Sequence, residues 1–414
     1  MALPATLNVS LNFSSGATFG IPFTLDDAAN GILDTNILSD STTPVLVVDL
    51  TDSTRQISIR RGRNVARDIY ESGSCVVRIY DPLGNFNPQN TSSPYYGQLE
   101  PLRKLRISAS IGGTNYYLFS GYTTSYTYSY DQAENMTYVD ISANDAFRLF
   151  NLANVVTITG QAAGQDTGTR IDKILDTVSF PTTMRQIDTG NTLTIADPAT
   201  LRTSLSALQN CEFSEQGAFY ILANGDVIFK NRANVIASAG VTPIAFNQTT
   251  GIPYSNLKFA FDDKLIINSA TITKSSGTAQ TVQDATSIAT YFPHSISVSD
   301  LVVATDAEAL NIASIYVATR SSTTIRIDEM SVDLMNPSVP TATLLNLDYF
   351  DNVIITNLQP DGSTIIKNLQ VQGIAHHITP NNWVTTLTTL EPIVDGFILD
   401  NTTYGLLDDD ILSY

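Results

Sequence analysis

One order of short elements occurs twice in this chain: a strand-like run, a turn, a second strand, a glycine and a further strand. The first copy is LRKLRISASIGGTNYYLFSGYTTSYT at 102–127, and the second is DNVIITNLQPDGSTIIKNLQVQGIAHHIT at 351–379. Another strand pattern follows each, TYVDISA at 137–143 and WVTTLTTL at 383–390, the latter beginning on the single tryptophan, Trp383. β-Branched and aromatic side chains pack well on a pleated surface, and the Gly, Asn, Asp and Pro residues between them take turn conformations. Two copies of one β-unit, at 102–143 and 351–390, are therefore expected; chance likeness between hairpins is the other explanation. Gly121 and Gly373 hold the same place in FSGYTTSYT (119–127) and VQGIAHHIT (371–379). A glycine there marks a bulge or a close approach that bends a sheet.

His376 and His377 stand side by side in the second nonapeptide, where the first has Thr124 and Ser125. Adjacent side chains of a strand point to opposite faces, so the pair cannot grip one ion together. A zinc site needs further ligands, and the remaining histidine is His294. No metal or catalytic role is expected for the pair.

Further strand patterns, QISIRRG and CVVRIYD, fill the first third, with turn chemistry at DPLGNFNPQN (81–90) and IGGTN (111–115). FNPQNTSSPYYGQLEP, with its prolines, reads as a long exposed loop. The character changes after about residue 155. GQAAGQDTGT (160–169) is linker-like, and Ile171, Ile174, Leu175 and Val178 mark a helix face behind a capping pattern at Thr169 and Asp172. A second helix is predicted near 199–211 with Leu201, Leu205 and Leu208 on one side, then a hairpin at 220–232 turning on Asn224–Gly225. Strand patterns resume near 255, a helix capped by Thr305 and Glu308 spans 306–318, and Pro360–Asp361–Gly362 makes a turn.

The length allows two to four domains. Charged residues are only 15% of the chain, which suits β-structure with polar turns, and no run of 18 apolar residues offers a membrane helix. MALPATLNVS lacks the basic start and apolar core of a signal peptide. The net charge is −18, which disfavours binding to the outside of nucleic acid. The charge is uneven: nine of the 22 basic residues fall between Arg55 and Arg106, and none falls in 1–54 or 368–414. RQISIRRGR (55–63) is the one place that would attract phosphate, but arginines pairing with carboxylates at an interface is the preferred reading. Cys75 and Cys211 read as buried free thiols.

A second repeat lies in the two acidic ends. FTLDDAANGILDTNIL (23–38) and FILDNTTYGLLDDDIL (397–412) agree at eight of sixteen positions without a gap. Their carboxylates are too sparse for an EF-hand loop. Apolar anchors around a Gly turn (Phe23, Leu25, Leu33 and Ile37; Phe397, Leu399, Leu407 and Ile411) fit segments that dock onto a surface. Asp408, Asp409 and Asp410 read as solvated. No GxGxxG, Walker A, GxSxG or HExxH motif is present. A glycosidase needs only two well-placed carboxylates, but none has a setting that singles it out. No catalytic, cofactor or metal residue is assigned.

RIYDPLGNFNPQNTSSPYYGQLEPLRKLRI (78–107), LFSGYTTSYTYS, SEQGAFYILANGDVIFKNR (214–232), VQGIAHHITPNNW (371–383) and FILDNTTYGLLDDDIL together resemble phage minor tail proteins, the baseplate or tail hub family of long-tailed phages. The resemblance spans nearly the whole chain and rests on strand and turn patterns. It implies a β-rich α+β fold with two similar β-barrel tube domains and an intervening α+β domain. The first tube domain, with the N-terminal acidic segment, would be 1–155. The middle domain would be 156–255 and 281–339, the second tube domain 256–280 and 340–396, and the C-terminal docking segment 397–414. It further implies a homotrimer with pseudo-sixfold symmetry in the virion, at the tail baseplate or tip. Such a ring would join the tail tube to a threefold tip, with a distal tail or tail tube protein, a tape measure protein and tip or fibre proteins as partners, and DNA only in transit. A tail-associated cell-wall or glycan hydrolase and a carbohydrate-binding receptor module are the alternatives from other classes. A carboxylate pair in a cleft or clustered exposed aromatics would favour them.

Overall fold

A computed structural model describes residues 3–19, 47–64, 69–131, 136–323 and 325–392. Both F-x-L-D repeats and Arg67 lie outside the described residues. Strand accounts for 43% of the described residues and helix for 19%, so they are β-rich with an α+β block.

Among the described residues, thirteen strands form the main sheet. In chain order they are β1 (Thr6–Asn12), β2 (Val47–Asp49), β3 (Thr54–Asn64), β4 (Ile69–Tyr80), β5 (Lys104–Ile111), β6 (Thr114–Asp131) and β7 (Met136–Asn144). Then come β8 (Ile244–Asn247), β9 (Ser255–Ala260), β10 (Arg326–Asp333), β11 (Asn352–Leu358), β12 (Thr364–Thr379) and β13 (Asn382–Leu390). The path of pairing is β9-β10-β13-β12-β3-β4-β7-β6-β5-β1-β2, with β11 also on β12 and β8 on β11. Two separate barrels were the expectation; among the described residues the sheet is one open, largely antiparallel surface and no barrel closes. The join is β3 on β12, where Ile57 faces Ile378 and Gly62 faces Gly373.

The pairing reveals how the two units correspond. β5, β6 and β7 form a meander in which Tyr122 is paired with both Lys104 and Asn144. β11, β12 and β13 form the same meander, with Gln370 paired with both Asn352 and Leu390. β4 then pairs β7 as β10 pairs β13, and β3 pairs β4 as β9 pairs β10. In the sequence four residues separate β3 from β4, whereas residues 261–325 separate β9 from β10. Sheet register aligns Ser125, not Gly121, with Gly373, because each register shift, at Thr124 and at Gln372, comes two residues after the handover. Tyr128 and Ser129 therefore hold the positions of His376 and His377. The nonapeptide match is displaced by an even number of residues, which preserves side-chain faces.

Alternation gives the sheet its core. Ile57, Ile59, Val77, Ile141, Met330, Val353, Ile374 and Leu387 share one face in a single apolar cluster that spans both units. Each fully buried side chain of this kind contributes roughly 1.5–3 kcal/mol.

The block between the units has its own cores. Helix Thr167–Thr177 buries Ile171, Ile174 and Leu175 against Leu208 and Cys211 of helix Ser204–Glu215. Its cap is Asp166, whose carboxylate accepts from Thr169 N at 2.9 Å, so the Thr169–Asp172 pattern is displaced by one turn. The second helix starts at Ser204 behind Thr203, and Leu201, expected on its face, is 73% exposed outside it. Ala218–Ile221 and Val227–Lys230 make the expected hairpin, with Gly225 at φ +98°. Helix Asp306–Arg320 carries the full capping box of Thr305 and Glu308 and covers the strand Ser269–Lys274. β10 lies within 281–339 yet belongs to the main sheet: Met330 and Val332 alternate into its core, and the strand pairs β13. The loop after β4 is long but not wholly exposed. Asp81 accepts from the N–H groups of Asn85 and Phe86, and Phe86 is buried with its ring 5.1 Å from that of Tyr95.

Candidate functional site: the seam and the polar face of the sheet

Where β3 meets β12, the strands approach too closely for side chains at the glycine pair. A Cβ on Gly62 would lie 2.8 Å from the Gly373 Cα. Arg61, beside it, follows Ile57 and Ile59 into the core face and is only 5% exposed. Its guanidinium lies 3.3 Å from the Asp348 carboxylate and 5.1 Å from the centre of the Tyr349 ring. Burial opposes its charge, but Asp348 and the other facing groups outweigh it and hold Arg61 above its ordinary range. Tyr70 of β4 donates to Gln372 of β12 at 2.8 Å across the same seam.

The histidine pair straddles the sheet. His376 is buried, with Nδ1 2.9 Å from Thr385 Oγ1 and its ring 6.3 Å from that of Trp383. His377 is exposed on the other face, with Nδ1 3.3 Å from Ser58 Oγ. Burial, helped by the nearby Arg61 charge, pushes the His376 pKa down to about 3. The unfolded chain takes up a proton at this residue near pH 6.5, and the folded chain refuses it until about pH 3. The contribution to stability is thus whole above pH 6.5 and is lost as the pH falls. It should amount to about 2–3 kcal/mol between pH 6.5 and 4.5. Asp145 acts in the opposite direction. Burial raises it to about 6 against hydrogen bonds from Gly73, Ser72 and Phe147, so it costs stability as the pH rises from 3.8 through 6. The comparison is therefore parent against His376→Gln, in which Asp145 cancels. Urea unfolding at several pH values should show a flatter acid slope in the variant; parallel slopes would disprove it.

Away from the core, the other face of the sheet is polar. Ser58, Arg60, Arg78, Asp140, Ser142, His377, Thr386 and Glu329 lie on it, alternating with core residues. Two of its cations are paired across strands. Arg78 donates twice to Asp140, at 2.8 Å each, and Lys258 bonds Glu329. A groove of about 1110 Å³ crosses β3, β4, β9, β10, β12 and β13, lined by Arg60, Arg63, Lys258, Glu71 and Glu329 among others. Arg326 at its margin is gripped by Asp262 at 2.7 Å and Asp328 at 2.8 Å.

The basic cluster at 55–63 is dispersed. Arg61 points into the seam, Arg63 lies over the Tyr70 ring, Arg55 donates to the carbonyls of Asp52 and Thr54, and Arg60 faces the groove. No continuous phosphate-binding stripe is built from it. Cys75 and Cys211 are buried free thiols whose pKa values burial drives upward, which makes them inert. His294 pairs with Asp263 at 3.1 Å. Among the described residues, no three His, Cys, Asp or Glu side chains are grouped to hold a metal. Also among them, no helix is long and apolar enough to cross a membrane.

The seam partners Asp348 and Gln372 were not picked out from sequence, since Arg61 and Asp348 are 287 positions apart. A signal existed nonetheless: Ile57, Ile59 and Arg61 share a period of two, and an arginine on a core face requires a partner.

No family model and no curated protein matches the chain. Solved structures do. The 43 kDa tail protein of prophage MuSo2 from Shewanella oneidensis superposes with a TM-score of 0.54 at 15% identity, covering 84% of this chain and 95% of that one. A tail protein from Neisseria meningitidis MC58 gives a TM-score of 0.54 at 11% identity, with 84% and 93% covered. A PdpA–VgrG complex chain gives 0.51 at 10% identity, with 94% and 66% covered. With its paired meanders, single seam and one polar face, the chain has the fold of phage tail proteins.

Proposed function

We propose that this chain is a structural, non-enzymatic hub of a phage tail. Three copies form a pseudo-sixfold ring that joins the tail tube to a threefold tip and lets DNA pass. One observation carries the reading: a single chain holds two units of one winding, already joined edge to edge through β3 and β12. Three such chains offer six similar units, each meeting one neighbour within its chain and one across a subunit boundary. In that ring each tube domain is a curved segment of wall, and the polar face lines the channel. DNA is held through phosphates by Lys and Arg; pairing Arg78 with Asp140 and Lys258 with Glu329 weakens that hold and lets it slide. The distal tail or tube protein, the tape measure protein and tip or fibre proteins are the neighbours in this reading, and the acidic F-x-L-D segments are the points of docking.

Mass measurement and electron microscopy of the purified chain and of tails test it. The expected particle has three times the 44.8 kDa chain mass and six similar lobes around a channel. A monomer or dimer in the assembled tail would overturn the reading. So would turnover of host cell wall or polysaccharide that one Asp or Glu substitution removes with the fold intact.

A further inference from the structure

We propose that copies of this chain join by strand addition: β9 of one copy pairs antiparallel with residues 124–130 of β6 in the next, in the register that sets Phe259 opposite Tyr128. This rests on the ring reading above and specifies its subunit boundary.

The template is inside the chain. β12 carries β11 beside its first half and β3 beside its second half, on the same side, with β13 opposite. β6 carries β5 beside its first half and β7 opposite its second half. Among the described residues, no strand occupies the position on β6 that β3 occupies on β12. The strand equivalent to β3 is β9, and it too ends the sheet, with β10 on one side only. Each chain thus has one used joint and both halves of a second, identical in kind, left open at opposite ends. Open strand edges present unpaired N–H and C=O groups that favour addition of another strand.

The register follows from the equivalences. His376 corresponds to Tyr128, and Ile378 to Tyr130, by counting from the shared handover. Ser58 opposite Val76 corresponds to Lys258 opposite Glu329, since Val77 faces Ile141 as Met330 faces Leu387. Ile59 therefore corresponds to Phe259. Within the chain Ile59 faces His376, so across the boundary Phe259 faces Tyr128.

Exposure agrees with this assignment. Ile59 and His376 are 2% and 5% exposed, while Phe259 and Tyr128 are 39% and 43% exposed. Phe261, one face-repeat further along, is 69% exposed, and Tyr128 already stacks on Tyr130 at 5.1 Å. Two aromatic edges that are open in a single copy become a cross-strand aromatic cluster when the copies join.

The test places cysteines at the pair. Tyr128→Cys with Phe259→Cys, in the full chain under mild oxidation, should give covalent dimers and closed covalent trimers on a denaturing gel without reductant. The native thiols are 1% and 0% exposed and do not compete. The shifted pair Ser129→Cys with Phe259→Cys, on opposite faces, should give neither. Independently, Phe259→Asp should weaken trimer formation at least tenfold in sedimentation while leaving the circular dichroism spectrum unchanged. A trimer that neither cross-links at 128–259 nor responds to Phe259→Asp would overturn this boundary and leave the ring standing. A parent chain that stays monomeric at every concentration would overturn both.

Discussion

Trp383→Ala should cost about 3–5 kcal/mol of folding stability, as large aromatic deletions from well-packed cores do. The side chain is fully buried and is the largest in the core. It stands at the start of β13 opposite Ile378, with the His376 ring at its edge and Leu334 bonded to its carbonyl. Strands fix these neighbours on both sides, so the site cannot collapse to fill the void. The measurement is urea unfolding followed by circular dichroism, because the variant lacks the only tryptophan fluorophore. Trp383→Phe keeps most of the volume and should cost less than half as much. A loss below about 1 kcal/mol for the alanine variant would show that the core relaxes around the site, contrary to this packing.

Asp348→Ala should cost about 2–4 kcal/mol by leaving the Arg61 guanidinium in the seam without its carboxylate. The figure is set below that of a wholly buried pair because Asp348 keeps 29% of its side chain in solvent and is partly screened. Arg61→Met fills the same space without the charge, so the double variant Arg61→Met/Asp348→Ala should recover much of the loss. Strongly non-additive effects in that cycle are the expected result. Simple addition of the two single effects would show that the pair is incidental and that the Tyr349 ring and backbone hold the seam.

What could be read from the sequence follows the range of each interaction. The Asn224–Gly225 hairpin, the Thr305–Glu308 capping box and the Pro360–Asp361–Gly362 turn depend on neighbours a few residues apart, and all are where their patterns put them. The order of strands in each meander was legible for the same reason. The seam was not: its pairs are separated by hundreds of residues and leave no local signature. Gly121 and Gly373 show a subtler limit. They match in a nonapeptide comparison, yet the sheet aligns Gly373 with Ser125, because period-two patterns look alike at every even displacement. Leu201 failed for a different reason. It continues the helical spacing of Leu205 and Leu208, but the helix begins only at Ser204, behind its cap Thr203. β10 was hidden by the chain between it and β9, which separates two strands that pair as a simple hairpin does in the first unit.

The seam also imposes a waiting time. Gly62 pairs with Gly373, roughly 310 residues later. At a synthesis rate of about 5–20 residues per second, β3 emerges from the ribosome about 15–60 seconds before its partner exists. Through that interval the edge of a largely complete first unit is open, and a neighbouring nascent chain offers the same kind of strand. The polar alternation of β3, with Ser58 and Arg60 between Ile57, Ile59 and Arg61, makes that edge less adhesive than a wholly apolar one. Fewer half-made chains in one compartment should therefore raise the yield of folded protein, even with the stability of the finished fold unchanged.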